Sequence, residues 1–257
     1  MDYGKCNLSI VPGRSEPSDR AELVTQILFG EDFEIVDENK RWYHIKLIAD
    51  SYDCWVDKMQ VVLMERSANE GASAFVSGID GEAVDMKGSK TRIPFGSVLP
   101  SYEEGSFLID DVEYTFTGDV ILSGEASTDN LQVLADRLLN TPYLWGGRTS
   151  YGIDCSGYTQ TIFRLAGVAL PRDSGDQAIF GEEIEHVEES RNSDLAFFEN
   201  EKSKIMHVGI IRLDEDNNRH IIHASGKVRV DSLDEKGIYD KETGTYTHRI
   251  SHISRYF

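Results

Sequence analysis

Through residues 1–66, short runs that alternate apolar and polar positions, "NLSIV", "ELVTQILFG", "DFEIVDE", "RWYHIKLIA" and "CWVDKMQVVL", are parted by turn-forming segments such as "PGRSEPSDR". Some five short strands in so little chain predict a small closed barrel of the SH3-like kind. Residues 67–125 repeat the style in "SAFVSG", "EAVDMK", "TRIPFGSVLP", "FLIDDVEYTFTG" and "DVIL", which predicts a second such barrel.

At "GEASTDNLQVLADRLLNTPY" the period lengthens from two to about 3.6. Leu131, Leu134, Leu138 and Leu139 fall on one helical face, with Ser127, Thr128 and Asp129 as caps. A second helix is predicted from near Cys155, with Tyr158, Ile162, Leu165 and Ala166 at helical spacing and Gly167 and Pro171 as its stop. The strand-like runs "DLAFFE", "HVGIIRL", "RHIIHAS" and "KVRV" come next. Helices followed by strands give residues 126–257 an α+β reading, helices packed on an antiparallel sheet.

Composition narrows the partners. Forty-five acidic against 26 basic side chains give a formal charge of −19, which disfavours nucleic acid and anionic membranes. No apolar run reaches the roughly 18 residues of a membrane span, and "MDYGKCNLSI" lacks a signal-peptide pattern. The expectation is a cytoplasmic chain, or a periplasmic or secreted one if a leader has been removed. Oligomeric state is not legible. Three cysteines, Cys6, Cys54 and Cys155, make no disulfide framework. The first two read as small buried hydrophobes.

Cys155 is different, because it opens a helix. There the unpaired backbone N–H groups and the helix dipole favour a thiolate and lower the thiol pKa. A nucleophile also needs a base and something to orient that base. The runs "HVGIIRL" and "RHIIHAS" flank the polar turn "DEDNN", and folding them into a hairpin sets His207 opposite or diagonal to His223. His207 then reads as the base and His223 as the group fixing its tautomer. His44, His186, His220, His248 and His252 read as surface or packing residues. No residue set has metal-ligand spacing, and no cofactor is implied.

Together "TPYLWGG", "GIDCSGYTQTIF", "LPRDSGDQ", "SDLAFF", "HVGI" and "IIHASG" resemble the NlpC-type, papain-like family of bacterial cell-wall cysteine peptidases. The resemblance implies Cys155 as nucleophile, His207 as general base, His223 as third member, and a Tyr143 hydroxyl directed at the oxyanion. With two small barrels in front, the layout resembles the γ-D-glutamyl-L-diamino acid endopeptidases. These cut murein peptides with a free N-terminal L-alanine, and their first barrel closes one end of the groove. Release of L-Ala-D-Glu, in recycling or turnover of wall peptides, is what that likeness implies.

A buried ammonium needs a carboxylate. Asp154 suits that need, and the resemblance adds Glu31 and the aromatic Tyr52 from the first barrel. It also implies Ser156 and Ser174 as holders of the D-glutamate carboxylate and Trp145 as the groove floor. Arg172 receives no role, with Asp173 and Asp176 or a substrate carboxylate as its partners. Two alternatives stand beside this reading: the same thiol serving another amide or an acyl transfer, and an inactive peptidoglycan-binding protein.

Overall fold

The computed structural model describes residues 2–64, 73–123, 127 and 130–257. The boundaries expected after residues 66 and 125, and the caps Thr128 and Asp129, lie outside them. The chain divides into two compact units: residues 1–126 with 145–150, and residues 127–144 with 151–257.

In the first unit, seven strands form one antiparallel sheet: β1 (Asp2–Lys5), β2 (Ile10–Arg14), β3 (Leu23–Leu28), β4 (Asp32–Glu38), β5 (Trp42–Leu47), β6 (Asp53–Asp57) and β7 (Val62–Met64), in the order β3-β2-β6-β5-β4-β1-β7. Alternate positions turn inward, giving a core of Val11, Ile27, Phe33, Ile45, Leu47 and Val56 with Cys6 and Cys54. Burial pushes both of these thiols well up, so they stay protonated and act as packing groups.

The next seven strands are β8 (Ala74–Val76), β9 (Asp80–Asp85), β10 (Lys90–Pro94), β11 (Val98–Leu99), β12 (Ser106–Ile109), β13 (Val112–Thr117) and β14 (Val120–Leu122). They form two small sheets, β10-β9-β13-β12 and β11-β8-β14, where one closed barrel was expected. Their shared core takes in Phe29, from the loop after β3, which meets Phe107 edge to face at 5.7 Å. Phe29 thus anchors the first seven strands in the core of the second seven. The segment "WGGRTS" also belongs to this unit. Gly146 has φ +75°, and a Cβ there would stand 2.5 Å from the Leu23 carbonyl oxygen, so only glycine fits.

The second unit holds α1 (Leu131–Arg137), α2 (Cys155–Leu165) and α3 (Ser174–Gln177). Short strands β15 (Arg148–Thr149) and β16 (Gly152–Ile153) precede α2. In α1, Leu131 and Leu134 are buried, as is Leu138 at the C-cap; Leu139 turns out to solvent because the helix has already ended. α2 is buried on nearly every side, and its polar residues are hydrogen-bonded there: Thr159 Oγ1 donates to Gln177 Oε1, and Gln160 Nε2 to the Leu170 carbonyl.

The remaining strands are β17 (Glu182–Ile184), β18 (Leu195–Glu199), β19 (Ile205–Leu213), β20 (Arg219–Ser225), β21 (Lys227–Asp234), β22 (Gly237–Asp240) and β23 (Thr245–Arg255). They run β17-β23-β18-β19-β20-β21-β22, and β22 pairs back onto β23. The expected helix-covered sheet is thus a closed six-stranded ring with short helices. Each strand of the ring gives a residue to one apolar cluster: Phe198, Ile211, Ile221, Leu233, Ile238 and Ile253. Among the described residues no helix is long and apolar enough to cross a membrane.

Candidate active site

Asp154 is the N-cap of α2: its backbone is extended, and its Oδ1 accepts the Gly157 N–H at 2.7 Å. Arg172 clasps the same carboxylate from both sides, Nη2 to Oδ2 at 2.6 Å and Nη1 to Oδ1 at 3.0 Å, and Nη1 also donates to Ser156 Oγ at 2.9 Å. Gln177 Nε2 donates to the carbonyls of Ser156 and Pro171. The segment "LPRDSGDQ" therefore clamps the first turn of the helix that begins with Cys155.

The thiol is buried and lies against the backbone N–H groups of Val208 and Ser156. The β19–β20 ladder explains the first contact: it runs from Leu213↔Arg219 to Ile210↔Ile222 and stops before Val208. Burial, then the charge of Asp154, push the Cys155 thiol up to about 12, against the N–H groups and Arg172. This corrects the expectation of a lowered thiol pKa: at the start of α2, desolvation and a neighbouring carboxylate outweigh the helix end. Such a thiol needs a base to give up its proton.

A base is at hand. The register of β19 on β20 makes His207 diagonal to His223 on one face, and their rings meet, His207 Nε2 to His223 Nδ1, at 2.7 Å. Gly209 makes room for this, since a Cβ there would lie 2.6 Å from Ile221 Cγ1 and 2.9 Å from His223 Cβ. His223 is 1% exposed, and its Nε2 lies 2.9 Å from Asp231 Oδ2. Arg229 Nη2 donates to the other oxygen of Asp231 at 2.7 Å. His248 of β23 stacks on His207 at 4.3 Å and meets His223 edge to face at 5.9 Å. Burial, then the positive charges that His223 and His248 would carry, hold His207 well below its ordinary value. His248 falls to about 4 for the same leading reason, burial, followed by His223. At neutral pH His207 and His248 are therefore uncharged.

Tyr143 enters from the segment after α1. Its N–H donates to the Gly226 carbonyl, and the segment continues as a bridge between Pro142 and Lys227. Burial, then the charges of Cys155 and Asp154, push its phenol up to about 12, so it remains a hydrogen-bond donor near the thiol. Ser174 opens α3, half-buried, two residues past Arg172.

The other three residues singled out in the sequence belong to the first unit. Glu31 is buried, its two oxygens taken by Arg148 at 2.9 Å each and one of them also by the Leu28 N–H. Tyr52 packs against the core of the seven-stranded sheet. Trp145 is exposed, its Nε1 donating to Glu22.

Asp231 and Arg148 of these networks were not singled out in the sequence, His248 was expected only as a surface or packing residue, and Arg172 was given no role. The first was within reach, because "IIHASGKVRVD" is a tight hairpin that brings residues 223 and 231 to one face. Arg172 finds Asp154, eighteen residues earlier, in place of Asp173 or Asp176. No group of His, Cys, Asp and Glu among the described residues could hold a metal ion.

The profile of the NlpC/P60 family matches residues 140–247, and that of the bacterial dipeptidyl-peptidase Sh3 domain matches residues 13–61. A Bacillus subtilis (strain 168) protein named gamma-D-glutamyl-L-lysine dipeptidyl-peptidase is 30% identical over 216 residues, 73% of this chain and 69% of that protein. Dipeptidyl-peptidase 6 of Lysinibacillus sphaericus is 25% identical over 246 residues, 86% of this chain and 88% of that one. The crystal structure of an NlpC/P60 family protein from Bacillus cereus ATCC 10987 covers 99% of both chains at 20% identity with a TM-score of 0.82, so the fold is shared.

Proposed function

The chain belongs to the NlpC/P60 family, and on that premise we propose that it is a cysteine peptidase of murein peptides, cutting between γ-D-glutamate and the L-diamino acid, diaminopimelate or lysine, when the N-terminal L-alanine is free. The observation that carries the reading is the Cys155 thiol against the peptide N–H directly after His207, whose Nε2 is already held by His223. The name of the Bacillus subtilis relative supports the choice of bond, and that of the Lysinibacillus sphaericus relative supports release of a dipeptide.

In this reading His207 Nδ1, the other ring nitrogen, takes the thiol proton as sulfur attacks the γ-carbonyl carbon. The carbonyl electron pair moves onto oxygen, toward which Tyr143 donates. As the tetrahedral intermediate collapses, the amine of the diamino acid leaves with the proton from His207, and a thioester of L-Ala-γ-D-Glu remains. Water then attacks that thioester, gives its proton to His207 Nδ1, and the returning thiolate recovers it. The product is L-Ala-D-Glu, released in turnover or recycling of wall peptides.

Ser156 and Ser174 take the D-glutamate carboxylate; Arg172 Nη1 on Ser156 Oγ supports this by adding positive potential there. Asp154 receives the substrate ammonium, sharing its carboxylate with Arg172. Variants of Glu31, Tyr52 and Trp145, read through the KM ratio of free and N-acetylated peptide, test the parts proposed for them.

The deciding experiment incubates the protein and its Cys155→Ala variant with L-Ala-γ-D-Glu-meso-diaminopimelate, free or acetylated on alanine, and follows products by mass spectrometry. L-Ala-D-Glu from the free peptide alone, and none from the variant, is the expected result. Equal cutting of both peptides removes the ammonium recognition and keeps the peptidase. No cutting of either, with a reactive thiol, turns the reading to another amide or an acyl transfer.

A further inference from the structure

We propose that Asp231 is a positioning residue that sets the direction of the hydrogen-bond chain through both histidines, and so determines that His207 presents an unprotonated Nδ1 to the thiol. The inference rests on the peptidase reading above and extends it to a residue that touches neither thiol nor substrate.

The argument is one of donors and acceptors. A carboxylate only accepts, so the 2.9 Å contact between Asp231 Oδ2 and His223 Nε2 requires a proton on that nitrogen. Asp231 is ionised at neutral pH: burial opposes its charge, but the hydrogen bonds and charges of His223 and Arg229 together hold its carboxyl below the usual range. In the tautomer with its proton on Nε2, His223 has a bare Nδ1, which accepts across the 2.7 Å contact from His207 Nε2–H. His207 then carries its proton at Nε2, and Nδ1 is the base. Reversing the far end reverses everything: a donor at position 231 would leave His223 with Nδ1–H, make His207 Nε2 the acceptor, and turn a protonated Nδ1 toward the sulfur.

The surroundings make this test sharp. Arg229 Nη2 donates to Asp231 Oδ1 at 2.7 Å. In Asp231→Asn the arginine would keep the amide oxygen, leaving the NH₂ group to face His223 Nε2 and force the reversed chain. The ionisable groups around the pair come from four elements: Cys155 of α2 against the Val208 N–H that follows His207, His248 of β23 stacked on His207, Asp231 and Arg229 of β21 beside His223, and Asp240 of β22, 3.5 Å from Arg229. Asp231 is the acceptor that these contacts give to His223.

The experiment has three readouts. Long-range ¹H–¹⁵N spectra of the wild-type protein, assigned with His207→Gln, should show both rings as Nε2–H tautomers. Asp231→Asn should invert His223 to Nδ1–H and slow alkylation of Cys155 by iodoacetamide at pH 7. On the murein peptide it should lower kcat by on the order of 10²–10⁴ with little change in KM, the scale seen when a triad carboxylate becomes an amide. Asp231→Glu should restore most of the alkylation rate. A wild-type His223 protonated at Nδ1 overturns the proposal, even if no variant folds. So does an Asp231→Asn protein that alkylates at the wild-type rate. The spectra and the alkylation need no peptide, so a wrong substrate leaves the inference decidable.

Discussion

The guanidinium of Arg172 and the carboxylate of Asp154 form a two-pronged ion pair, 2.6 and 3.0 Å long, sealed from solvent one residue ahead of Cys155. The pair joins the cap of α2 to the segment that clamps it, so it fixes where the thiol stands. Its value lies in placement, because burying two charges costs about as much as their attraction returns.

Removing one partner is another matter. Arg172→Met should destabilise the protein by about 3–5 kcal/mol in urea unfolding, because it strands a buried carboxylate. Arg172→Lys should recover only part of that, since an ammonium cannot match the fork of contacts to Asp154 and Ser156.

The same logic applies to Glu31 and Arg148 in the first unit. Arg148→Met should cost about 3–5 kcal/mol, and the double variant Glu31→Gln with Arg148→Met should cost clearly less than the two single losses added together. A double-mutant cycle by denaturant unfolding measures this. Additive losses would mean that the 2.9 Å contacts carry no coupling.

His248 makes stability depend on pH. Its folded-state value of about 4 lies below the ordinary 6.5, so the unfolded chain binds the proton first as pH falls. The contribution is fully present above about pH 6.5 and is lost on the way down to about pH 4, to the extent of about 2–3 kcal/mol. Unfolding free energies measured across this range should show a flatter slope for His248→Phe than for wild type. Parallel slopes would refute the assignment.

Gly209→Ala tests the meeting of the histidines. A methyl group 2.9 Å from His223 Cβ must move that ring or the strand beneath it. Displacement on the ångström scale should cost on the order of 10² in kcat while the fold persists. Activity within threefold of wild type would show that the site tolerates the shift.

The helix start at Cys155 and the meeting of His207 with His223 were legible because their cues are local: a capped helix opening, and a hairpin whose turn length sets the parity of residues 207 and 223. Asp231 has the same kind of cue one hairpin further on, but it stands among 45 acidic residues and carries no mark of its own. His248 was read as a surface or packing residue because no strand was predicted beyond "KVRV", although the β22–β23 hairpin carries turn chemistry of its own, with Asp240 capping the turn and Gly244 at φ +68°. Arg172 was misplaced for a different reason: nearby Asp173 and Asp176 compete on paper, while folding delivers Asp154. In the first unit the alternation marks the strands, but the division of β8 to β14 into two small sheets packed on Phe29 depends on an apolar side chain that comes from outside those strands.

Closure of the ring also bears on how a ligand is taken up. The strands carrying His207, His223, Asp231 and His248 each have a neighbour on both sides, but the ladder from β19 to β20 stops at Ile210, so the stretch through His207 and Val208 is laddered to β18 alone and its other side is turned to the Cys155 thiol. A ligand that reaches the thiol therefore meets the ring at the place where β19 is held from one side only.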